Sequence, residues 1–164
     1  MDIPDGVTTL SDNVFLECSG LESVTLPEGL EVIGREAFSD CTALQEVVIP
    51  DSVTIIEECA FQRCEGLNSV TFGSGLTEIE ERAFEMCNSL KSVKLQEGVT
   101  TLGYTAFGMC ETVEEFYLPA SLEKVAADAL QQSHPVKVYV VEGSYMDGTL
   151  DQLLGADLFE KLYQ

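Results

Sequence analysis

The stretch from Leu44 to Gly66 reads LQEVVIPDSVTIIEECAFQRCEG, and it sets the pattern of the whole chain. Variants of its AFQRCE segment recur every 23 residues, as VFLECS, AFSDCT, AFQRCE, AFEMCN and AFGMCE, starting at Val14, Ala37, Ala60, Ala83 and Ala106. Catalysis needs a cysteine once, whereas a Phe and a Cys at fixed spacing in five copies are typical of a structural repeat. The 23-residue period therefore organises the fold.

Apolar residues occupy the same columns when the sequence is written in rows of 23. One column holds Leu21, Leu44, Leu67, Leu90 and Val113. The column three residues later holds Val24, Val47, Val70, Val93, Phe116 and Tyr139. No insertion or deletion interrupts five cycles, so these columns predict side chains that point into one continuous core.

Each row predicts a short strand, a turn and a return segment. Stretches such as SVTL at 23–26 alternate polar and apolar residues, as half-buried strands do. Pro, Gly and Ser follow in the turns, and REAFSDC at 35–41 has the character of a helical turn. We predict an α/β repeat solenoid of about six right-handed coils, with a parallel β-sheet on the concave face and short helical turns on the other side.

The cysteines follow the same period. Five share one column, namely Cys18, Cys41, Cys64, Cys87 and Cys110. Because a column of five cannot pair completely, we expect small, buried free thiols rather than disulfides. Cys59 lies outside the column, and we expect it to be exposed and the most reactive thiol. With no CxxC pair and one histidine, the sequence predicts no metal site and no cofactor.

Charge and composition exclude several classes of function. The 164 residues include 29 acidic and 8 basic ones, for a formal charge of −21. Such a field repels phosphates, so we expect no nucleic-acid partner. The sequence has neither an apolar run that predicts membrane insertion nor an N-terminal signal peptide. It also contains none of the common catalytic motifs, so we do not expect an enzyme.

The repeat resembles that of the BspA-like leucine-rich repeat proteins, which is approximately LxxVxLPxxLxxIgxxAFxxCxx. The resemblance extends from Ile3 to about Val141. It implies a leucine-rich-repeat fold in a bacterial surface or secreted protein, and therefore an extracellular or cell-surface location. It also implies binding of a protein partner, either a host matrix protein or another bacterial surface protein, or of a glycan. It supplies no catalytic residue.

The two ends depart from the repeat. The chain begins inside a repeat, so we expect the native protein to continue upstream. A signal peptide would either have been removed or lie upstream. We assign residues 1–141 to the solenoid and 142–164 to a C-terminal helical cap. Thr149 and Gln152 resemble a capping box, and Gly155 would end the helix. The apolar residues near helical spacing are Leu150, Leu153, Leu154, Leu158, Phe159 and Leu162.

Outward strand positions supply the candidate binding site, because solenoids commonly bind on their concave face. A Tyr beside exposed valines and charged residues resembles the centre of an interface. The residues that we predict to contact a partner are Lys94, Glu115, Tyr117, Val138, Val140, Thr71 and Glu46. The alternative is that a cap or a neighbouring domain covers this patch.

Two functions remain open from the sequence. The first is an adhesion or interaction module, and the alternative is a stiff acidic spacer rod within a larger surface protein. The adjacent pairs Glu57-Glu58 and Glu80-Glu81 suggest a calcium site, but they lack a calcium-loop motif. We therefore expect them to form solvated surface.

Overall fold

The computed structural model describes residues 1–131, 133, 137–154 and 159–164. They form a parallel β-solenoid of about six coils. The elements in chain order are β1 (Thr9–Leu10), β2 (Val32–Ile33), β3 (Glu46–Val48), β4 (Ile55–Ile56), β5 (Ser69–Thr71), β6 (Glu78–Ile79), β7 (Ser92–Lys94), β8 (Thr101–Leu102), β9 (Glu115–Tyr117), β10 (Lys124–Val125), β11 (Lys137–Val140), α1 (Tyr145–Leu154) and β12 (Glu160–Tyr163).

The strands stack in two rows along the solenoid. Two-residue strands form a six-stranded parallel sheet in the order β1-β2-β4-β6-β8-β10. The longer strands form the second row, which is divided into the pair β3-β5 and the four-stranded sheet β7-β9-β11-β12. In-register partners such as Val47 and Val70 lie 23 residues apart, so the sequence period equals one coil. The predicted parallel solenoid is confirmed.

The short helical turns predicted opposite the longer strands are not observed in the described part of the chain. Residues 35–40 instead form a continuous run of turns, and the same occurs in the following coils. Glu36 and Asp40 have φ angles of 53° and 58°, and equivalent pairs of residues repeat this left-handed conformation. A left-handed residue costs roughly 1–2 kcal/mol and cannot continue a right-handed helix. The turns therefore wind differently from an α-helix.

The turns are held by hydrogen bonds to the next coil. The Phe38 N–H donates to the Ala60 carbonyl at 2.7 Å, and the Phe61 N–H donates to the Ala83 carbonyl at 2.8 Å. Buried backbone groups must be paired, and here their partners come from the neighbouring coil rather than from a helix. The solenoid thus has a third hydrogen-bonded ladder on its turn side.

Phenylalanine rings stack along the core in the column that the sequence predicts. Successive ring centroids from Phe38 to Phe107 lie 5.1 Å apart, with interplanar angles of 10° or less. Phe72 directly follows β5 and Phe116 lies in β9; their rings meet this stack edge-on, at 5.6 Å from Phe84 and 5.7 Å from Phe107 respectively. Stacked and edge-on pairs both suit the aromatic quadrupole, so the column holds adjacent coils in register.

The cysteine column forms a ladder of free thiols, and four of its five members are hydrogen-bonded to the coil before them. Cys41 Sγ donates to the Phe15 carbonyl at 3.2 Å, and Cys64 Sγ donates to the Phe38 carbonyl at 3.1 Å. Cys87 and Cys110 repeat the contact. These four thiols are therefore more than small fillers, because each donates to a backbone carbonyl of the preceding coil.

The prediction for Cys59 is wrong. Its side chain is only 6% exposed, whereas the exposed thiol is that of Cys18 in the first coil. Burial, followed by the charges of Glu58 and Glu36, raises the pKa of Cys59 to about 11. Membership of this column therefore does not make a small side chain exposed.

Strand β11 is shifted by one residue relative to the 23-residue period. Lys137, Val138 and Tyr139 pair with Glu115, Phe116 and Tyr117, at a separation of 22. A one-residue slip moves every side chain of a strand to the opposite face.

As a consequence, the sequence assigns the side chains of β11 to the wrong faces. Val138 and Val140, which we predicted to be exposed binding residues, are completely buried. Tyr139, which we predicted to be in the core, aligns with the outward Tyr117. The shift follows His134-Pro135, which lies outside the described residues.

Residues 142–164 contain a helix and a strand rather than a helix alone. Helix α1 starts at Tyr145, where Ser144 Oγ accepts a hydrogen bond from the Asp147 N–H at 3.3 Å. The capping box predicted at Thr149 is therefore wrong, since Thr149 lies inside the helix and its hydroxyl donates to the Tyr145 carbonyl.

The helix packs on the end of the core through Met146 and Leu150, both of which are buried. The end of the segment that we assigned to the helical cap instead forms β12, which includes Leu162 and pairs in parallel with β11. Gly155 and Leu158 lie outside the described residues.

Candidate interaction surface

The outward side chains of β3, β5, β7, β9, β11 and β12 form a surface that we call the strand face, which the sequence predicts to be concave. Because side chains alternate along a strand, each strand contributes two parallel columns to it. One column contains Glu46, Ser69, Ser92, Glu115 and Lys137, and the other contains Val48, Thr71, Lys94, Tyr117 and Tyr139. These side chains are exposed or half-buried, so the face is accessible to a partner.

Five side chains on β7, β9 and β11 form what we call the tyrosine cluster: Lys94, Glu115, Tyr117, Lys137 and Tyr139. The two tyrosine rings are parallel within 1°, with centroids 4.2 Å apart. Lys94 Nζ lies 5.9 Å from the centroid of the Tyr117 ring, within the distance of a cation–π contact. The Tyr117 ring is thus contacted by Tyr139 and by Lys94, which fixes its orientation on the strand face.

Glu115 holds the tyrosine cluster together. Its carboxylate accepts a hydrogen bond from the Tyr117 hydroxyl at 3.1 Å and a longer one from the Tyr139 hydroxyl at 3.5 Å. Lys137 Nζ lies 3.7 Å from the same carboxylate. Burial and the hydrogen bond to Glu115 raise the pKa of Tyr117 to about 12, so its hydroxyl keeps its proton at neutral pH. The cluster is therefore pre-organised as a set of rigid aromatic side chains.

The structure brings together three of the predicted contact residues, Lys94, Glu115 and Tyr117. Thr71 lies on the same face one coil earlier, and Glu46 lies two coils earlier. The prediction missed Lys137 and Tyr139. The alternation of KVYV could have identified them, because it places the polar Lys and Tyr on one face and both valines on the other.

A hollow of about 390 Å³ opens at the other end of the strand face. We call it the anionic hollow; its rim includes Ser23, Thr25, Glu28, Glu46, Val48 and Pro50. Val48 is 62% exposed, more than any other large apolar side chain among the described residues. An apolar floor flanked by carboxylates distinguishes this hollow from the tyrosine cluster.

Carboxylates on the turn side bind neighbouring coils. Glu57 accepts a hydrogen bond from the Arg35 N–H at 3.1 Å, and Glu80 accepts one from the Glu58 N–H at 3.0 Å. Burial raises the pKa of Glu80, which the backbone hydrogen bond opposes. In the described part of the chain, no group of three or more His, Cys, Asp or Glu side chains is arranged to bind a metal ion.

No helix within the described ranges is both long and apolar enough to cross a membrane.

These features define a class of protein: a parallel β-solenoid repeat protein with an exposed, chemically varied strand face. The model of the BspA-type leucine-rich repeat region matches residues 8–137 in six copies. The chain belongs to this family. No curated protein sequence matches the chain significantly.

Solved structures of bacterial leucine-rich repeat proteins share the fold. A leucine-rich repeat protein of T. pallidum is 26% identical, with a TM-score of 0.70, and the match covers 73% of this chain and 58% of that one. A leucine rich cell surface protein of Faecalibacterium prausnitzii A2-165 is 27% identical, with a TM-score of 0.73, and the match covers 94% of this chain and 50% of that one. The chain thus spans only about half the length of these relatives.

The pneumococcal vaccine antigen PcpA shows the same fold at 16% identity. Its TM-score is 0.66, and the match covers 87% of this chain and 41% of PcpA. At this identity the likeness concerns the fold alone.

Proposed function

We propose that this chain is an interaction module of a bacterial cell-surface or secreted protein, and that it binds a protein or glycan partner through the strand face. The tyrosine cluster carries the proposal. Rigid aromatic side chains contribute large contact area at little entropic cost, and Tyr is enriched among residues that dominate binding energy. The cell-surface relative from F. prausnitzii supports the location.

The structure of the cluster favours binding over a passive spacer role. A spacer requires only a soluble strand face, which the small polar residues Ser69, Thr71 and Ser92 already provide. Tyr117 and Tyr139 instead form an organised, partly exposed aromatic surface on a scaffold that is otherwise strongly acidic. The proposal assigns no catalytic role to the chain.

The test measures binding of the immobilised chain to a panel of host matrix proteins, bacterial surface proteins and glycans at physiological salt. The variant Lys94→Glu/Tyr117→Ala should lose saturable binding, because it removes the cation and one of the two stacked rings.

A matched control is Lys124→Glu/Tyr104→Ala, which changes charge and aromatic content identically at exposed positions outside the strand face. We expect this control to bind like the parent chain. Equal loss in both variants would contradict the cluster as the contact site, and binding to no member of the panel would favour the spacer.

A further inference from the structure

We propose that the anionic hollow binds lysine or arginine side chains of an extended, basic protein segment. This inference deepens the proposed function, since it assigns a partner chemistry to the opposite end of the strand face. It rests on the shape of the hollow, on its apolar floor and on its charge, which together suit a side chain with an aliphatic stem and a cationic tip.

The hollow places an exposed apolar side chain beside carboxylates. Glu46 and Val48 lie two residues apart on β3, so their side chains share the strand face, about 6.6 Å apart along the strand. Glu28 lies in the turn of the preceding coil and completes the rim. A lysine or arginine could lay its stem over Val48 and reach a carboxylate with its charged end, as these side chains do at other apolar surfaces.

The size of the hollow suits this occupant. Its volume of about 390 Å³ falls in the range of roughly 300–1,000 Å³ that is typical of ligand-binding sites. Leu26 and Pro50 are buried beneath its apolar part, so the floor is firmly packed. The hollow can therefore take a side chain without prior opening.

The two carboxylates of the hollow are not ion-paired. None of the described residues forms an ion pair with Glu28 or Glu46, and the Met1 ammonium at the rim donates to the Ser23 carbonyl at 2.8 Å rather than to a carboxylate. The three arginines of the chain form ion pairs with carboxylates on the turn side. All five lysines lie at or after Lys91, toward the tyrosine-cluster end. The strand face is thus acidic at one end and carries lysines at the other.

An extended segment is favoured over a compact cation. The hollow opens onto the row of longer strands, where every second side chain of an extended partner segment would reach the surface. The overall charge of −21 would also speed the approach of a basic partner, an effect that weakens with salt.

The experiment uses the full chain and a fluorescent, acetylated Lys-Thr-Lys-Thr-Lys-Thr peptide, followed by fluorescence anisotropy at low and physiological salt. The control peptide carries Nε-acetyl-lysine at each lysine, which keeps the shape and removes the charge. We expect saturable binding of the first peptide and at least about tenfold weaker binding of the second.

Two chain variants locate the site. Glu28→Gln/Glu46→Gln should weaken binding of the lysine peptide by roughly fivefold to tenfold, because two carboxylates leave the rim. Glu111→Gln/Glu123→Gln removes the same charge from exposed positions in distant coils and should change binding less than about twofold. Val48→Ser should weaken binding by about threefold through loss of the apolar floor.

The outcomes are distinct from those of the test of function. Absence of saturable binding, or equal weakening by both glutamate pairs, would overturn the proposal for the hollow. The Lys94→Glu/Tyr117→Ala variant should keep peptide binding, and loss of peptide binding in that variant alone would also overturn it. None of these results decides whether a partner binds the tyrosine cluster.

Discussion

The first coil and the interior coils have the same sequence pattern but different environments. Phe15 is half-buried and Cys18 is exposed, whereas Phe38 and Cys41, one period later, have no exposed surface. An interior coil is covered by neighbours on both sides, and the first coil is covered on one side in this structure. Burial in a solenoid is therefore a property of the position in the stack as much as of the residue.

Truncation of the stacked phenylalanines should show the largest difference in stability between an interior coil and the first coil. Phe61→Ala should lower the free energy of unfolding by about 3–5 kcal/mol, because a fully buried ring leaves a cavity between two others. Phe15→Ala should cost roughly 1–2 kcal/mol, since its ring is half-buried and stacks on one neighbour. Urea denaturation followed by circular dichroism measures both; equal losses would show that position in the stack does not matter.

Thiol reactivity should separate the two environments by roughly a hundredfold in rate. At pH 8 a disulfide reagent should modify Cys18 rapidly, and Cys18→Ser should abolish the fast phase, whereas Cys59→Ser should leave it unchanged. Burial raises the pKa of Cys41 and of Cys59 to about 11, so both stay protonated at this pH. A fast phase lost in Cys59→Ser would instead restore the interpretation made from sequence.

The same thiols should make stability fall in alkali. A raised pKa in the folded state means that the fold holds the proton more tightly than the unfolded chain does. The resulting stabilisation is fully present below the unfolded value of about 8.5 and is lost as pH rises toward about 11. Thermal melts from pH 8 to pH 11 should show a steady decline, smaller in Cys41→Ala, whose thiol no longer titrates.

The cysteine column ends with a serine, which extends the comparison of coils to the other end of the solenoid. Ser133 occupies the cysteine column, donates to the Phe107 carbonyl and accepts from the Cys110 N–H. Ser133→Ala should cost about 1–3 kcal/mol, because two buried backbone groups lose their partner. Ser133→Cys should be tolerated with a smaller loss, as its thiol can still donate. Chemical denaturation compares the two, and equal losses would mean that the hydrogen bonds do not stabilise the ladder.

The smallest effect concerns Thr105, which is buried in a left-handed conformation with φ of 44°. Its hydroxyl has no hydrogen-bond partner among the described residues. Thr105→Gly should raise the free energy of unfolding by about 1 kcal/mol, because glycine adopts the left-handed conformation without strain and because the unpaired hydroxyl is removed. Thr105→Ser, which keeps both features, should stay within about 0.5 kcal/mol of the parent. A destabilised Thr105→Gly would show that the packing of this side chain outweighs its strain.

Much of the fold could be predicted from the sequence because the repeat is strict. The period of 23 residues gave the parallel pairing, the phenylalanine stack and the buried thiols, since apolar columns leave one way to form a continuous core. Three of the five residues of the tyrosine cluster followed from the same columns, as Lys94, Glu115 and Tyr117 are where the period places them.

Prediction failed at positions where the 23-residue period alone does not determine which side chains are exposed. For β11, the period and the alternation of KVYV predicted opposite faces, and the alternation was correct because Lys137 pairs with Glu115 at a separation of 22 rather than 23. For Cys59, exposure depended on the side chains of other coils, which a single row does not contain.

The sequence by itself determined the coil length, the core columns and the family. The tertiary structure alone decided the left-handed turns, the burial of Cys59, the strand formed by Glu160–Tyr163 and the meeting of Tyr139 with Tyr117. The reason is physical: a repeated apolar column specifies what is buried, whereas turn conformation, strand register and exposure depend on hydrogen bonds and contacts between coils that lie far apart in sequence.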